Sequence, residues 1–370
     1  MIIQLLVIIT VFLYSKILSS RSSIGTLTYE KSRKNLCIFA TILLVLQSGL
    51  RNVAVGADTY SYFIQFENDI KAPWSQIIGR FTDVYVYGEG KDAGYQVFEK
   101  LCSNISTNYT IYLLIIACIF FIPLMKVVYR NTLSLEHIVI AVLVYESLFY
   151  SFFSITGCRQ TIETGLCLLA FEEIKNKNLK KFLLFIFIGA FIHKSCLIFL
   201  PFYWIATIKK TYLLFYLSVL SFPFMMVFGR AFTVELALLS GSENYLNYAN
   251  EEAAGAVTLS LFYIALLFST FYQYKQNKDY FDDHSYIVNA VTLGLFFLPL
   301  TFVSSALMRI VQYYSIFLIV FVGYMKPIKA NTRRNIFYPI AVVLLLYKII
   351  STNATYGFFW ETMALGSNYM

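Results

Sequence analysis

Basic side chains lie at the ends of long apolar runs at four separate places in this sequence. They are Arg51 in SGLRNVAVGADTY, Arg159 in SITGCRQTIETG, His193 in GAFIHKSCLIFLP and Arg309 in SSALMRIVQYY. A charge at the centre of a membrane helix costs on the order of 3 kcal/mol, so such residues are seldom accidental. A planar guanidinium can donate two parallel hydrogen bonds to a phosphate or a carboxylate, and it stays charged when partly desolvated. The pattern therefore favours a site for an anionic ligand.

Each of these residues also has a purely structural interpretation. Arg159 and Glu163 have the four-residue spacing of an ion pair on one helix face. Arg51 and Arg309 fit helix anchors at the membrane interface, with their stems in the apolar layer. His193 fits an ordinary hydrogen-bonded histidine at a helix tip. The sequence leaves these alternatives open at each position, while the combination of three arginines favours a bound anion.

The sequence disfavours a metal site and a nucleotide-binding site. No second histidine or carboxylate stands at ligand spacing from His193. The stretch YGEGKDAG lacks the strand and helix that a phosphate-binding loop requires. We therefore expect no metal and no cofactor. Glu146 is a weaker candidate than His193 for a catalytic base, because we expect it about two turns deeper in its helix.

The chain as a whole has the composition of a membrane protein. Of its 370 residues, 58% are hydrophobic, 18% aromatic and 14% charged, whereas a soluble domain has roughly 25% charged residues. Several runs approach the ~20 apolar residues that span a bilayer, and they predict an all-α polytopic integral membrane protein with about 11–12 transmembrane helices. We expect one membrane domain over residues 1–370. The net charge of +8 fits the basic bias of cytoplasmic loops and does not indicate nucleic-acid binding.

Loop charge predicts how these helices cross the membrane. Of the 29 lysines and arginines, 19 face the cytoplasm if six loops do so, namely 16–34, 126–136, 175–181, 209–210, 275–284 and 326–334. This arrangement requires residues 182–208 to form a broken or re-entrant helix pair, interrupted at HKS (193–195), instead of a single span. Irregular backbone at membrane depth occurs where it is buried in protein or lines a cavity, so the break points to a site.

Two long loops, 51–108 and 229–256, then face outward. Their aromatic, amphipathic runs fit helices that lie at the membrane interface. They fit equally well a groove for a large amphiphilic or sugar-bearing ligand. In the second loop, Tyr245 and Tyr248 are candidate substrate contacts, and Tyr313 near Arg309 is a third.

Three stretches, in this order, resemble the EpsG-like, Wzy-type bacterial polysaccharide polymerases: LRNVAVGADTYSYFIQF, then CRQTIETGLCLLAF continuing to FIHKS, then MRIVQYY. The resemblance extends from about residue 35 to residue 325. It implies a multi-pass enzyme of the bacterial inner membrane with its active site facing the periplasm or exterior. Such an enzyme transfers a growing glycan from undecaprenyl diphosphate onto the non-reducing end of a second lipid-linked unit. Neither a nucleotide sugar nor a metal is implied.

The resemblance also implies which residues form the site and what they bind. The positions carried over are Arg51, Asp58, Arg159, Gln160, His193 and Arg309. Arginines would neutralise the leaving diphosphate, and His193 would act as general base or, if protonated, donate to the diphosphate. The implied partners are the lipid-linked donor and acceptor glycans, membrane lipid, and a chain-length regulator and flippase of the same pathway.

Two other functional classes remain open on the sequence. A transporter or lipid-linked oligosaccharide flippase would also use cations and a cavity, although its expected midplane charges and two-fold internal repeat are not visible. Another membrane transferase, such as an O-antigen ligase, an O-acyltransferase or a lipid-phosphate-sugar glycosyltransferase, is the second class. Asp58, Glu67 and Asp69 of the first outward loop keep that interpretation open, because the last of these enzymes carries acidic pairs there.

Overall fold

The computed structural model describes residues 1–56, 58–90, 92–240, 256–274, 278–324, 337–352 and 355–364. Within these ranges the chain is helical, and its one β-type pairing is an isolated antiparallel bridge between Arg51 and Phe358. The predicted all-α fold is confirmed.

The helices follow the apolar runs of the sequence. In chain order they are α1 (Ile2–Ser20), α2 (Leu27–Gly49), α3 (Thr59–Lys71), α4 (Trp74–Thr82), α5 (Ala93–Ser103), α6 (Tyr109–Asn131), α7 (Leu135–Leu148), α8 (Cys158–Lys175), α9 (Leu179–Ile192), α10 (Phe202–Ile205), α11 (Thr211–Ser240), α12 (Val257–Tyr274), α13 (Lys278–Asp283), α14 (Ser285–Phe297), α15 (Met308–Ser315), α16 (Leu318–Tyr324) and α17 (Phe337–Ser351). Short π or 3₁₀ segments occupy Asp83–Tyr87, Tyr150–Thr156, Lys194–Phe199, Leu298–Phe302 and Ser305–Leu307.

Several of these helices are long and apolar enough to cross a bilayer. Among the described residues there are four by length and composition: α1, α6, Thr211–Glu235 and Ser285–Phe302. The number rises to six if two bent pairs each count as one span, namely Leu135–Leu148 with Tyr150–Thr156 and Ser305–Ser315 with Leu318–Tyr324. A polytopic membrane protein is therefore confirmed. The predicted count is larger because it includes helices such as α2 and α8, which carry several charged residues.

By packing, the chain divides into two compact units. One comprises Met1–Leu200 with Tyr347–Met370, and the other comprises Pro201–Leu346. In the first unit α1 packs against α2 and α7, and α2, α6, α8 and α9 pack successively side by side. In the second unit α14 packs against α11 and α15. The single domain over 1–370 and the outward orientation of the two long loops stay predictions.

The first predicted outer loop, 51–108, is itself helical and supplies a core to the first unit. Its helices α3 and α5 pack aromatic side chains against α6, α8 and α9. The buried members of this core are Phe66, Tyr95, Cys102, Tyr109, Tyr112, Leu113, Ile116, Cys158, Ile162 and Ile192. The last three immediately precede Arg159, Glu163 and His193 in the chain, so this core determines where those three side chains lie.

The helix break predicted at 193–195 is present in the structure. Asn178 caps the start of α9 by accepting the Lys181 N–H at 3.1 Å. The helix ends at Ile192, where His193 adopts an extended backbone with φ −158° and ψ 124°. A 3₁₀ segment beginning at Lys194 follows. The break therefore presents His193 at a helix end.

The helix predicted to end at residue 228 continues instead as α11 to Ser240. Gly229 and Arg230 interrupt the apolar run at the predicted start of the second loop. Helical geometry nevertheless persists there, and the Thr233 hydroxyl donates to the Gly229 carbonyl at 2.8 Å, one turn back. The change in hydropathy therefore does not coincide with the end of the helix.

Candidate functional site

Arg159 lies in the first turn of α8 and is held by side chains from α3 and α5. Its Nη1 forms an ion pair with Asp92, and its Nε lies 3.4 Å from the Tyr62 hydroxyl. The guanidinium carbon stands 5.5 Å and 5.9 Å from the ring centroids of Tyr62 and Tyr95, within the range of cation–π attraction. The helix-face pair considered from the spacing is not the one that forms, because Arg159 is paired with Asp92 and not with Glu163.

Asp92 was missed by the sequence analysis. It precedes α5 with φ 57°, in the left-handed region, which is uncommon for a residue other than glycine. The only signal was its place in YGEGKDAG, a stretch considered solely as a phosphate-binding loop. Asp92 belongs to the site because its carboxylate orients the Arg159 fork.

Tyr62 contributes a neutral hydroxyl beside this cation. Burial raises the pKa of Tyr62 above its ordinary value, although the nearby Arg159 charge acts in the opposite direction. The phenol therefore stays protonated near neutral pH. Its oxygen can accept from Arg159 while its proton remains available to a ligand.

Arg51 is a buried positive charge at the end of α2, and its side chain has no carboxylate partner among the residues that the structure describes. The residue is 3% exposed. Its Nη1 donates to the Ser48 carbonyl at 2.5 Å, its Nη2 lies 3.6 Å from Cys158 Sγ, and its Nε has no hydrogen-bond partner. Removing a charge from water without a counter-ion costs several kcal/mol. The Arg51 side chain is therefore incompletely paired. It contacts Cys158, the first residue of α8, which immediately precedes Arg159.

The C-terminal segment packs against the backbone at Arg51, but its Glu361 carboxylate forms no ion pair with that residue, and Glu361 Oε2 instead accepts the Phe358 N–H at 3.1 Å. The Asn52 N–H donates to the Gly357 carbonyl at 2.8 Å, and the Tyr356 hydroxyl donates to the Gln47 carbonyl at 2.8 Å. Burial raises the pKa of Tyr356 to about 12. This phenol is consequently neutral near pH 7 and does not compensate the Arg51 charge.

His193 lies against a serine and a buried carboxylate. The Ser195 Oγ is 2.8 Å from His193 Nδ1, and the same hydroxyl donates to Glu163 Oε1 at 3.4 Å. The second oxygen of Glu163 is 3.9 Å from Nδ1. The Glu163 side chain is fully buried and that of His193 is 15% exposed. Glu163 lies one turn after Arg159 on α8, so this helix carries groups of two clusters. The arginine cluster comprises Arg51, Tyr62, Asp92 and Arg159, and the histidine cluster comprises Glu163, His193 and Ser195.

The backbones of α5 and α9 approach closely between the arginine cluster and the histidine cluster. A Cβ added to Gly94 would lie 2.2 Å from the Phe191 carbonyl oxygen, so α5 starts in direct contact with the end of α9. Asp92 stands two residues before this contact and His193 two residues after it. Lys194, the next residue after His193, adds a further positive charge, and its Nζ lies 5.9 Å from the Tyr85 ring centroid.

The remaining predicted residues of the first unit have distinct environments. Gln160 is buried beside Arg159. Asp58 is exposed before α3, and its carbonyl accepts the Tyr62 N–H at 3.0 Å. Glu146, the weaker candidate base, is buried in α7, where Gln47 Nε2 donates to its Oε2 at 3.2 Å.

Arg309 and Tyr313 belong to the second unit. Arg309 is half-buried in the first turn of α15, and Tyr313 is buried one turn later. Their convergence with the arginines of the first unit stays a prediction, and Tyr245 and Tyr248 lie outside the described residues. Within the described part of the chain, no group of three histidine, cysteine, aspartate or glutamate side chains is placed to hold a metal ion.

Comparison with known proteins identifies a family. The sequence model of the EpsG family matches residues 34–361. No curated protein and no solved structure matches the chain significantly. The matched range includes every residue of the two clusters around α8, and it includes Arg309.

Proposed function

The chain belongs to the EpsG family, and on this premise we propose that it polymerises a polysaccharide from repeat units carried on undecaprenyl diphosphate. Membership itself identifies a membrane protein of the polysaccharide-polymerase type. The proposal adds the lipid-diphosphate donor, the lipid-linked acceptor and a reaction at the outer face of the cytoplasmic membrane.

The proposed reaction is a glycosyl transfer between two lipid-linked molecules. The bond between the anomeric carbon of the growing glycan and the diphosphate oxygen breaks, and the electron pair leaves with the lipid diphosphate. A hydroxyl oxygen at the non-reducing end of the acceptor forms the new bond to that carbon and loses its proton. The enzyme must therefore stabilise negative charge on the leaving group and accept one proton.

The buried guanidinium of Arg51 is the observation that carries this proposal. It is 3% exposed and its Nε is unpartnered, and no described carboxylate neutralises it. A diphosphate would supply both the missing counter-ion and the missing acceptor. The resulting charge-assisted hydrogen bonds would strengthen as the leaving group gains charge.

The start of α8 adds two further features that suit a diphosphate. Gly157 precedes the helix and provides no side-chain cap, and a helix N-terminus attracts anions through its free N–H groups and its dipole. Arg159 lies in the same turn, and Asp92 and two tyrosine rings hold its fork in place. In this proposal Arg51 and Arg159 bind the diphosphate from two elements.

The contacts of His193 support the role of general base. The Ser195 hydroxyl donates to Glu163, so its oxygen is left to accept the proton of His193 Nδ1 at 2.8 Å. That arrangement places the proton on Nδ1 and leaves Nε2 as an acceptor, because each ring nitrogen's state follows from the bond made by the other. Glu163 would stabilise the imidazolium that forms, and we assign Ser195 and Glu163 positioning roles.

One contact favours the rival role of His193 as a donor to phosphate. The Ser195 backbone N–H points to Nδ1 at 3.3 Å, and a bond of that kind requires an unprotonated Nδ1. Nε2 would then carry the proton and donate to the diphosphate. The two roles differ in their pH dependence, which separates them experimentally.

A chromosomal deletion tests the proposed function. We expect the deletion strain to accumulate single repeat units on lipid diphosphate at the outer face, and we expect the intact gene to restore long chains. Single units confined to the cytoplasmic face would indicate a flippase. Long chains that stay on the lipid carrier in the deletion strain would indicate a ligase, and either outcome contradicts polymerisation.

A further inference from the structure

An open groove of about 350 Å³ lies between α2 and α6, away from the candidate site. The side chains that define it are Lys34, Ile38 and Ile42 of α2 and Ile122, Lys126 and Tyr129 of α6. Lys34 precedes Arg51 by 17 positions in the sequence, which corresponds to roughly 25 Å along a helix. The groove is therefore separate from the cluster around Arg51.

One end of the groove is basic. Arg33 Nη2 donates to the Tyr129 carbonyl at 2.7 Å, so the first turns of α2 lie against the last turns of α6. Lys34 and Lys126 consequently share this end, and both are exposed. Among the described residues neither ammonium group has a hydrogen-bond or carboxylate partner.

Glu30, one turn before Lys34 on α2, does not neutralise these lysines. Glu30 Oε2 lies 2.7 Å from Arg33 Nη1, so the two form their own ion pair. The Arg33 guanidinium also stands 5.0 Å from the Tyr129 ring centroid and supports that ring as a wall of the groove. Two uncompensated positive charges are left beside the ring.

The rest of the groove is apolar and exposed. Ile38, Ile42 and Ile122 are 49%, 52% and 56% exposed. Thr41, between them, donates its hydroxyl to the Cys37 carbonyl at 2.7 Å, so its polar atom is satisfied within the helix. From Lys34 to Ile42 the furrow extends roughly 12 Å along α2.

We propose that this groove binds an anionic phospholipid. The phosphate lies between Lys34 and Lys126, and an acyl chain follows Ile38, Ile42 and Ile122. The two unpaired lysines select a negatively charged headgroup, since each lysine at an anionic leaflet contributes about fivefold in affinity. The apolar furrow distinguishes a lipid from free phosphate, which would occupy only the basic end.

Lipid retention by the purified full chain tests this proposal. The delipidated protein in a mild detergent would be titrated with phosphatidylglycerol, phosphatidylcholine or inorganic phosphate and analysed by native mass spectrometry. We expect preferential retention of phosphatidylglycerol, and about 25-fold weaker retention after the double substitution Lys34→Gln, Lys126→Gln. Ile42→Trp, which fills the furrow and keeps both charges, should also weaken retention.

The matched control is the double substitution Lys180→Gln, Lys181→Gln at the exposed start of α9, which removes the same charge elsewhere. It should retain phosphatidylglycerol like the unmodified chain, and the thermal unfolding of all variants should be alike. Equal retention of the two phospholipids would overturn the proposal. So would an unchanged affinity in the Lys34, Lys126 variant, or retention of phosphatidylglycerol that Ile42→Trp leaves intact.

Discussion

The charged side chains of the candidate site have partners that come from distant parts of the sequence. Arg159 could be identified from its unusual setting alone, but its partner could not. Asp92 lies 67 positions earlier, and no local pattern connects the two. The spacing of Glu163 allowed a pair with Arg159, whereas Glu163 contacts His193 and Ser195, which follow the end of α9. The spacing of residues along one helix was therefore not sufficient to predict what their side chains contact.

The first prediction concerns the fork of Arg159. Arg159→Lys keeps the positive charge but loses bidentate geometry, so we expect polymer synthesis to fall about 100-fold at a normal protein level. Polymer length and membrane abundance would be measured together. Arg230→Lys, at an exposed position of α11, is the control and should have no effect. Normal polymerisation by Arg159→Lys would refute the bidentate role, and failure to accumulate would assign Arg159 a structural one.

A second prediction separates the two roles of His193. As a general base it must be unprotonated, so the rate of transfer should fall at acid pH, and His193→Gln should bind the lipid-linked substrate but not transfer it. Ser195→Ala should lower the maximal rate about tenfold or more and alter the pH profile, because it breaks the contact that fixes Nδ1. If His193 instead donates to phosphate from Nε2, the rate should not fall toward acid pH, because protonation of Nδ1 leaves that donor in place.

For single helices, the sequence predicted most of the positions at which they begin, break and end. The break at His193 was visible because HKS interrupts an apolar run, and the start of α8 was visible at Cys158. The end of α11 was not, because helical hydrogen bonding continues past the polar residues at 229–230. The packing of α3 and α5 onto α8 was also not predictable, since it depends on an aromatic core assembled from five helices.

The contact between α5 and α9 gives a third prediction. Gly94→Ala would place a methyl group 2.2 Å from the Phe191 carbonyl oxygen, so the two helices must separate. We expect a loss of about 1–3 kcal/mol in the free energy of unfolding, together with reduced polymer synthesis. Gly79→Ala, in α4 with open space around it, is the control and should be neutral or stabilising. Thermal unfolding in detergent measures the stability of both variants. Equal melting temperatures for Gly94→Ala and Gly79→Ala would contradict this packing.

A fourth prediction concerns the acidic pair between α3 and α5. Burial, and next the hydrogen bond and charge of Asp69, raise the pKa of Glu99 well above its usual value. Asp69 pairs with Arg80 at 2.6 Å, and Gln65 Nε2 donates to Glu99 at 2.9 Å. Glu99 is therefore protonated in the folded chain over a pH range in which the unfolded chain has lost that proton.

The sign of the effect follows from this difference. The stabilisation by protonated Glu99 is complete below its unfolded pKa and declines by about 1.4 kcal/mol per pH unit as the pH rises toward its folded pKa. Glu99→Gln should flatten the fall in melting temperature measured from acid to neutral pH. Glu67→Gln, which changes a more exposed carboxylate paired with Lys71, should leave the slope as it is. An unchanged slope in Glu99→Gln would show that Glu99 is ionised.

For the whole molecule, the low share of charged residues indicated a membrane protein, and apolar runs of about 20 residues were sufficient to predict that it is all-α. The division into two compact units was not predictable, because the apolar runs continue across the boundary at Leu200 and Pro201. Arg51, Arg159 and His193 lie in one unit and Arg309 in the other. Whether all four residues serve one site is therefore a prediction from the sequence, and it must be tested by measuring the activity of variants.

The most direct test of the central claim is transfer by the purified protein in liposomes supplied only with single repeat units on undecaprenyl diphosphate. The proposed function predicts products of two or more units and release of one undecaprenyl diphosphate for each bond formed. Arg51→Lys should bind the substrate less tightly and form bonds about 100-fold more slowly. Failure of the unmodified protein to form any multimer, or equal rates for the two proteins, would contradict the account of a diphosphate bound by the buried Arg51.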